Sequence, residues 1–265
     1  MLRTRIYTAL VLFPILVVIV LTSDPLYRIG VVLALGIGAW ELYRLAQRQR
    51  YTPSLAAAWF TLGVILLSTI RPDVLQPGLA LSIFLTMAIM LWNYRQGDAA
   101  PFNSFALTLG IGLYLGWLGA HLLLLRELPA GEWWTMTVLL CDFAADTGAY
   151  FIGTRFGQHR MAPRISPRKS WEGYLGGVGA AVLFGAGVVL LWPPAARIQP
   201  LHGAVIGLLV ALISPLGDLA VSAFKRQAGV KDTSQLIPGH GGMMDRLDTV
   251  LIAVVLGYYY ILWFT

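Results

Sequence analysis

Apolar runs long enough to cross a bilayer recur nine times along this chain, near 6–22, 29–46, 55–70, 76–94, 104–125, 133–153, 173–192, 201–221 and 247–264. About 20 such residues carry a helix across the hydrocarbon layer, where a helix satisfies its own backbone hydrogen bonds. The pattern predicts an all-α polytopic membrane protein of about nine transmembrane helices, with the third run the shortest. Composition agrees, since 57% of the 265 residues are hydrophobic and 12% charged, against roughly 25% charged in ordinary soluble domains. With no internal repeat or long linker, 1–265 reads as a single integral-membrane domain: N-terminal spans over 1–130, then spans and loops over 131–265 that hold the candidate chemistry.

Charge fixes the expected orientation. With a cytoplasmic N-terminus, fifteen Lys and Arg residues fall on inside segments and only Arg28, Arg71, Arg126 and Arg197 fall outside, which is the bias expected of a correct span count. The C-terminus is then outside. Trp133, Trp134, Trp192 and Trp263 all sit at predicted outer span ends, as an aromatic belt does. The first run exceeds a signal-peptide core and no small-x-small cleavage site follows it, so it is expected to remain as an anchor. A net charge of +6 spread over loops reports topology rather than nucleic-acid binding. One cysteine, Cys141, excludes an intramolecular disulfide and a cysteine-rich zinc site. Glycines concentrated in the fifth and seventh runs suit close helix packing.

Eight of the thirty-two charged residues crowd into Gly217–Asp248, between two apolar runs. Ionic groups beside hydrocarbon are costly unless water, partners or metal satisfy them, so the crowding marks a site for a charged ligand. The loop 154–172, with five basic residues and Glu172, is expected on the same cytoplasmic face and suits a polyanion. Arg155 and Arg160 are explained as well by topology, whereas Arg168 and Lys169 follow a Ser166-Pro167 pair that can fix a turn at the mouth of the next helix. Asp142 and Asp146 share one helical face, and Asp218 lies near the inner end of the eighth run. Asp142 can equally be a buried polar contact. Magnesium takes carboxylate and phosphate oxygens, which makes Asp218, Asp245 and Asp146 the metal-ligand candidates. Gly239, Gly241 and Gly242 surround His240 and let backbone N–H groups approach phosphate oxygens. No Walker A, HExxH or GxSxG pattern occurs, so phosphate handling falls to metal, lysine and arginine.

Ser222-x-Phe224-Lys225-Arg226, then Lys231-Asp232, then Pro238-x-His240-Gly241-Gly242 and Asp245-Arg246-x-Asp248 resembles the signature of the phosphatidate cytidylyltransferases. Ala145-Asp146-Thr147-Gly148-Ala149-Tyr150 and Ser166-Pro167-Arg168-Lys169-Ser170-Trp171-Glu172-Gly173 are similar to two further stretches of that family, so the resemblance covers 140–250. Val221 stands where many members have glutamate, Ser170 where threonine is usual, and Thr249 where serine is common.

The resemblance implies transfer of the cytidylyl group of CTP to phosphatidic acid, with Mg²⁺ and room for a second, monovalent cation such as K⁺. Asp218, Asp245, Lys225 and Arg246 are then the expected catalytic residues. Lys169, Arg168, Ser166, Ser222, Arg226, Lys231, Asp232, His240, Gly241, Gly242 and Asp248 are the expected substrate-binding set. His240 is expected to hydrogen-bond or order its loop, because phosphatidate is already ionised near neutral pH. Compact size and short loops suit a bacterial inner membrane with the site facing the cytoplasm, and the resemblance leaves room for a homodimer. Two rivals stand beside this reading: a CTP-dependent lipid kinase, which shares the phosphate logic, and a cation-coupled transporter using Asp142, Asp146 and Asp218 as an ion path.

Overall fold

The computed structural model describes residues 14–22, 24–237 and 241–265. It is built almost wholly of helices. A helical stretch at 14–22 precedes α1 (Asp24–Arg48), α2 (Leu55–Ser68), α3 (Leu75–Arg95), α4 (Pro101–Glu127) and α5 (Gly131–Phe156). A two-stranded hairpin, β1 (Arg160–Ala162) and β2 (Ser166–Ser170), leads into α6 (Trp171–Val188). Then come α7 (Pro200–Ile213), α8 (Pro215–Gln227), the single turn α9 (Met244–Leu247) and α10 (Val250–Phe264).

Among the described residues, six helical segments are long and apolar enough to cross a membrane: Asp24–Arg48, Pro72–Arg95, Pro101–Glu127, Trp171–Leu191, Pro200–Gln227 and Met244–Phe264. This is an integral membrane protein. The first expected run lies largely outside the described residues, and the third, α2, has only 14 residues. Helix α5 has 26 residues, but Asp142 and Asp146 within it lower its hydropathy. The eighth expected run is interrupted at Ser214, because Pro215 lacks an N–H and its ring crowds the carbonyl four residues back. Asp218 consequently falls in the first turn of α8, where the helix dipole favours an anion.

Contacts gather the chain into two compact units. One consists chiefly of Ser23–Leu123 with Phe224–Leu247, the other of Leu124–Ala223 with Asp248–Thr265. In the first, α4 packs closely on α2 and α1: a Cβ added at Gly112 would lie 2.8 Å from the Ala58 carbonyl oxygen, and one at Gly119 would lie 2.5 Å from Leu35 Cδ1. Polar side chains pin the α1–α2 connection, where Thr52 N–H donates to Ser104 Oγ at 3.0 Å and Ser54 N–H to Thr108 Oγ1 at 2.9 Å. Ser54 also caps α2 by accepting from Ala57 N–H.

In the second unit α5, α6, α7 and α10 pack together along seams of small residues. Ala145, Ala149 and Gly153 of α5 face Gly173 and Gly177 of α6. A Cβ at Gly177 would sit 2.6 Å from the Ala145 carbonyl oxygen, so no larger side chain fits unless the helices part. Gly177→Leu is therefore expected to destabilise the fold by about 1–3 kcal/mol through overpacking. A thermal unfolding midpoint equal to that of the parent in detergent would refute this.

One end of this second bundle is aromatic. Trp133 and Trp192 lie 5.1 Å apart, Trp192 Nε1 donates to Thr137 Oγ1, and His202 pairs with the Tyr260 hydroxyl at 2.9 Å. The starts of α5 and α7 meet the ends of the α6 segment and α10 here. Consequently the end of α5, the start of α6 and the α7–α8 break lie at the opposite, polar end.

Candidate active site

The polar end of the second unit is shaped by the β-hairpin. The sequence suggested a turn at Ser166-Pro167; instead both residues belong to β2, and the chain turns at Pro163-Arg164-Ile165, closed by Ile165 N–H to Ala162 O at 3.2 Å. A two-stranded ribbon has no central strand, so Pro167 costs it no essential ladder bond. Ser170 ends β2 and caps α6, its hydroxyl accepting from Gly173 N–H at 3.2 Å. The hairpin is tied down at its base by Glu172, which accepts from the backbone N–H of Gln158 and His159 and from the His159 ring.

Where the hairpin meets α5 and α6 there is a cavity of about 470 Å³, lined among others by Asp146, Tyr150, Arg168, Lys169, Ser170 and Pro215. The glycine seam forms its floor, since Gly153, Gly173 and Gly177 also line it. Lys169 Nζ pairs with Asp218 Oδ2 at 2.6 Å, and Asp218 Oδ1 accepts from Ser222 Oγ at 3.0 Å, one turn along α8. Deeper in, Asp142 is buried and its Oδ2 accepts from Thr249 Oγ1 at 2.7 Å. Asp146, Asp218 and Lys169 all lie within electrostatic reach of Asp142. Asp248 is buried, and its carboxylate accepts Thr249 N–H at 2.9 Å. Lys169 and Arg168 thus lie at a cavity with Asp146, beside Asp218 and the buried Asp142, an arrangement suited to an anion.

The first unit holds a second polar cluster, around Asp245. Its Oδ1 pairs with Lys225 Nζ at 2.6 Å, while Oδ2 accepts from the N–H groups of Thr233 and Gly242, both at 2.9 Å. Lys225 and Asp245 side chains are only 9% and 7% exposed. Gly241 has φ +85°, and a Cβ there would lie 2.7 Å from Asp245 Oδ2. Only glycine enters that conformation at no cost. Ile237 N–H donates to Gly241 O at 2.9 Å across the base of the loop. His240 lies outside the described residues.

The cluster rests on Glu41 of α1, which sequence reasoning did not select. Fully buried, it accepts from Thr233 Oγ1, Ser234 Oγ, Met243 N–H and Met244 N–H at 2.6–2.9 Å. A signal existed: Glu41 is a carboxylate within the second apolar run, as costly there as Asp218 in the eighth. Arg226, Lys231, Asp232 and Arg246 are exposed, with Arg226 Nη1 donating to Val230 O. Val221, which stands where many family members have glutamate, is completely buried. A second cavity of about 800 Å³ in this unit, between Trp40 and Trp59, has Arg28 as its one charged lining residue, so its chemistry is not that of a polyanion site.

The sequence profile of the cytidylyltransferase family matches residues 3–264. The chain belongs to that family. It is 36% identical over 262 residues to the phosphatidate cytidylyltransferase of Pseudomonas aeruginosa, covering 96% of this chain and 94% of that one. Against the Synechocystis protein of the same name it is 31% identical, over 89% and 88% of the two chains. The Mycobacterium tuberculosis protein of that name is 41% identical over 129 residues, 47% of this chain and 37% of its own.

Proposed function

We propose that this protein transfers the cytidylyl group of CTP to phosphatidic acid, giving CDP-diacylglycerol and pyrophosphate. The observation that carries the reading is the cavity lined by Asp146, Arg168 and Lys169 in a chain matched end to end by the family profile. A phosphate oxygen of phosphatidate attacks the α-phosphorus of CTP in line; the bond from that phosphorus to the α,β-bridging oxygen breaks, and pyrophosphate leaves with the electron pair. Phosphatidate is ionised at neutral pH, so no protein base is required. Arg168 and Lys169 line the cavity and hold phosphate oxygens as fixed charges in a partly dehydrated space. Lys225, Arg226, Lys231 and Arg246 of the first unit are further candidates for binding phosphate. The fifteen-to-four bias of basic residues supports a cytoplasmic site in a bacterial inner membrane.

Magnesium fits part of this donor set. Among the described residues no three His, Cys, Asp or Glu side chains form a cage, but Mg²⁺ commonly uses one or two carboxylates with substrate phosphates and waters. Asp146 lines the cavity, and the Asp218 carboxylate is 27% exposed, so both can present an oxygen. Asp245 is filled by its donors and can offer only Oδ1, in exchange for Lys225. When bound, the cation neutralises charge on the triphosphate. Lys169 and Lys225 hold the carboxylates in place until then.

Incubating purified protein with phosphatidate, Mg²⁺ and CTP labelled in the cytosine ring should carry label into the lipid phase. Label entering lipid only from the γ-phosphate would replace this reading by a lipid kinase.

A further inference from the structure

We infer that Glu41 is a positioning residue for CTP use, holding Lys225 and Asp245 in place through Thr233; the inference rests on the cytidylyltransfer reading above. Four donors converge on the Glu41 carboxylate: Ser234 Oγ at 2.6 Å and Met243 N–H at 2.9 Å on Oε1, Thr233 Oγ1 at 2.8 Å and Met244 N–H at 2.7 Å on Oε2. The first pair of residues in the chain, Thr233 and Ser234, lies before the glycine loop, while Met243 and Met244 lie after it. One buried carboxylate therefore clamps both ends of the loop.

The link to Asp245 is Thr233. Its hydroxyl lies 2.8 Å from Glu41 Oε2 and 3.0 Å from Asp245 Oδ2. A hydroxyl has a single hydrogen to donate, so Glu41 and Asp245 share it, while the Thr233 N–H stays on Asp245 at 2.9 Å. Gly242 completes the connection: its N–H donates to Asp245 Oδ2, and a Cβ on it would lie 2.5 Å from either Glu41 oxygen. A carboxylate so saturated has no capacity left for substrate. What it fixes is the geometry of the Lys225–Asp245 pair, which is 2.6 Å long. Glutamine is nearly isosteric but turns one acceptor into a donor facing two other donors, so two of the four bonds are lost.

The test uses full-length protein in detergent micelles, with CTP and phosphatidate varied separately. Glu41→Gln and Thr233→Val should each raise KM for CTP about tenfold, the scale typical of losing a partner that orients a ligand-binding group. KM for phosphatidate should stay within about twofold, and Thr233→Ser, which keeps the hydroxyl, should restore wild-type KM. The double variant should be no worse than the poorer single one, because both cut the same link. If the variants lower only the maximal rate, leaving KM for CTP unchanged, the residue merely supports folding and the inference fails. Should Glu41→Gln not fold, Thr233→Val and Thr233→Ser decide alone. A wild-type protein that puts no cytosine label into lipid overturns the functional reading, and this inference with it.

Discussion

Replacing Asp218 by Asn should lower turnover by about 10²–10³-fold, the scale seen when one preorganised electrostatic group is removed from an active site. Asn preserves volume, and its carbonyl can still accept from Ser222, as Asp218 Oδ1 does at 3.0 Å. What is lost is the charge that holds Lys169 at 2.6 Å and would face the cation on the triphosphate. Stability should change little: the pair is about a quarter exposed on each side, and such pairs contribute about 0–1 kcal/mol. Rate measured by lipid-phase label, alongside thermal unfolding followed by tryptophan fluorescence, separates the two effects. Turnover within about twofold of wild type would remove Asp218 from the chemistry.

The Lys225–Asp245 pair should behave in the opposite way, because it is buried. Its side chains are 9% and 7% exposed, and breaking one partner of such a pair costs about 3–5 kcal/mol by leaving the other charge uncompensated. Lys225→Met should therefore lower both stability and activity. Combining it with Asp245→Asn removes the stranded charge, so the double variant should regain much of the stability while activity stays lost. The unfolding midpoint and the labelled-CTP assay read the two outcomes. Recovery of activity in the double variant would mean that these residues serve the fold alone.

These two ion pairs mark how far the chain could be read without coordinates. Lys169, Asp218 and Asp245 were selected from local spacing and the cost of charge beside apolar runs, and Lys225 from the family signature. Which lysine meets which carboxylate was not legible, because pairing depends on helix packing rather than on spacing along the chain. The hairpin of Arg160–Ala162 and Ser166–Ser170 was hidden for a related reason. Its strands are too short and too polar to show an alternating pattern, and Ser166-Pro167 resembles a turn as much as an edge strand. Glu41 was missed because it lies far from every motif: its bond to Thr233 joins residues 192 positions apart. Thr249 was noted only as a serine replacement, yet its hydroxyl is the partner of buried Asp142.

By itself the sequence determined the membrane character, the positions of most spans, the small-residue helix seams and the residue types of the site. Each follows from patterns local to a segment: apolar length against bilayer thickness, charge against topology, glycine against helix approach. The tertiary structure alone decided the Lys169–Asp218 and Lys225–Asp245 pairings and the clamp on Glu41. A buried charge at a given position says only that a partner must exist. Which partner it finds depends on how segments distant in the chain pack, and the spacing of residues does not encode that directly.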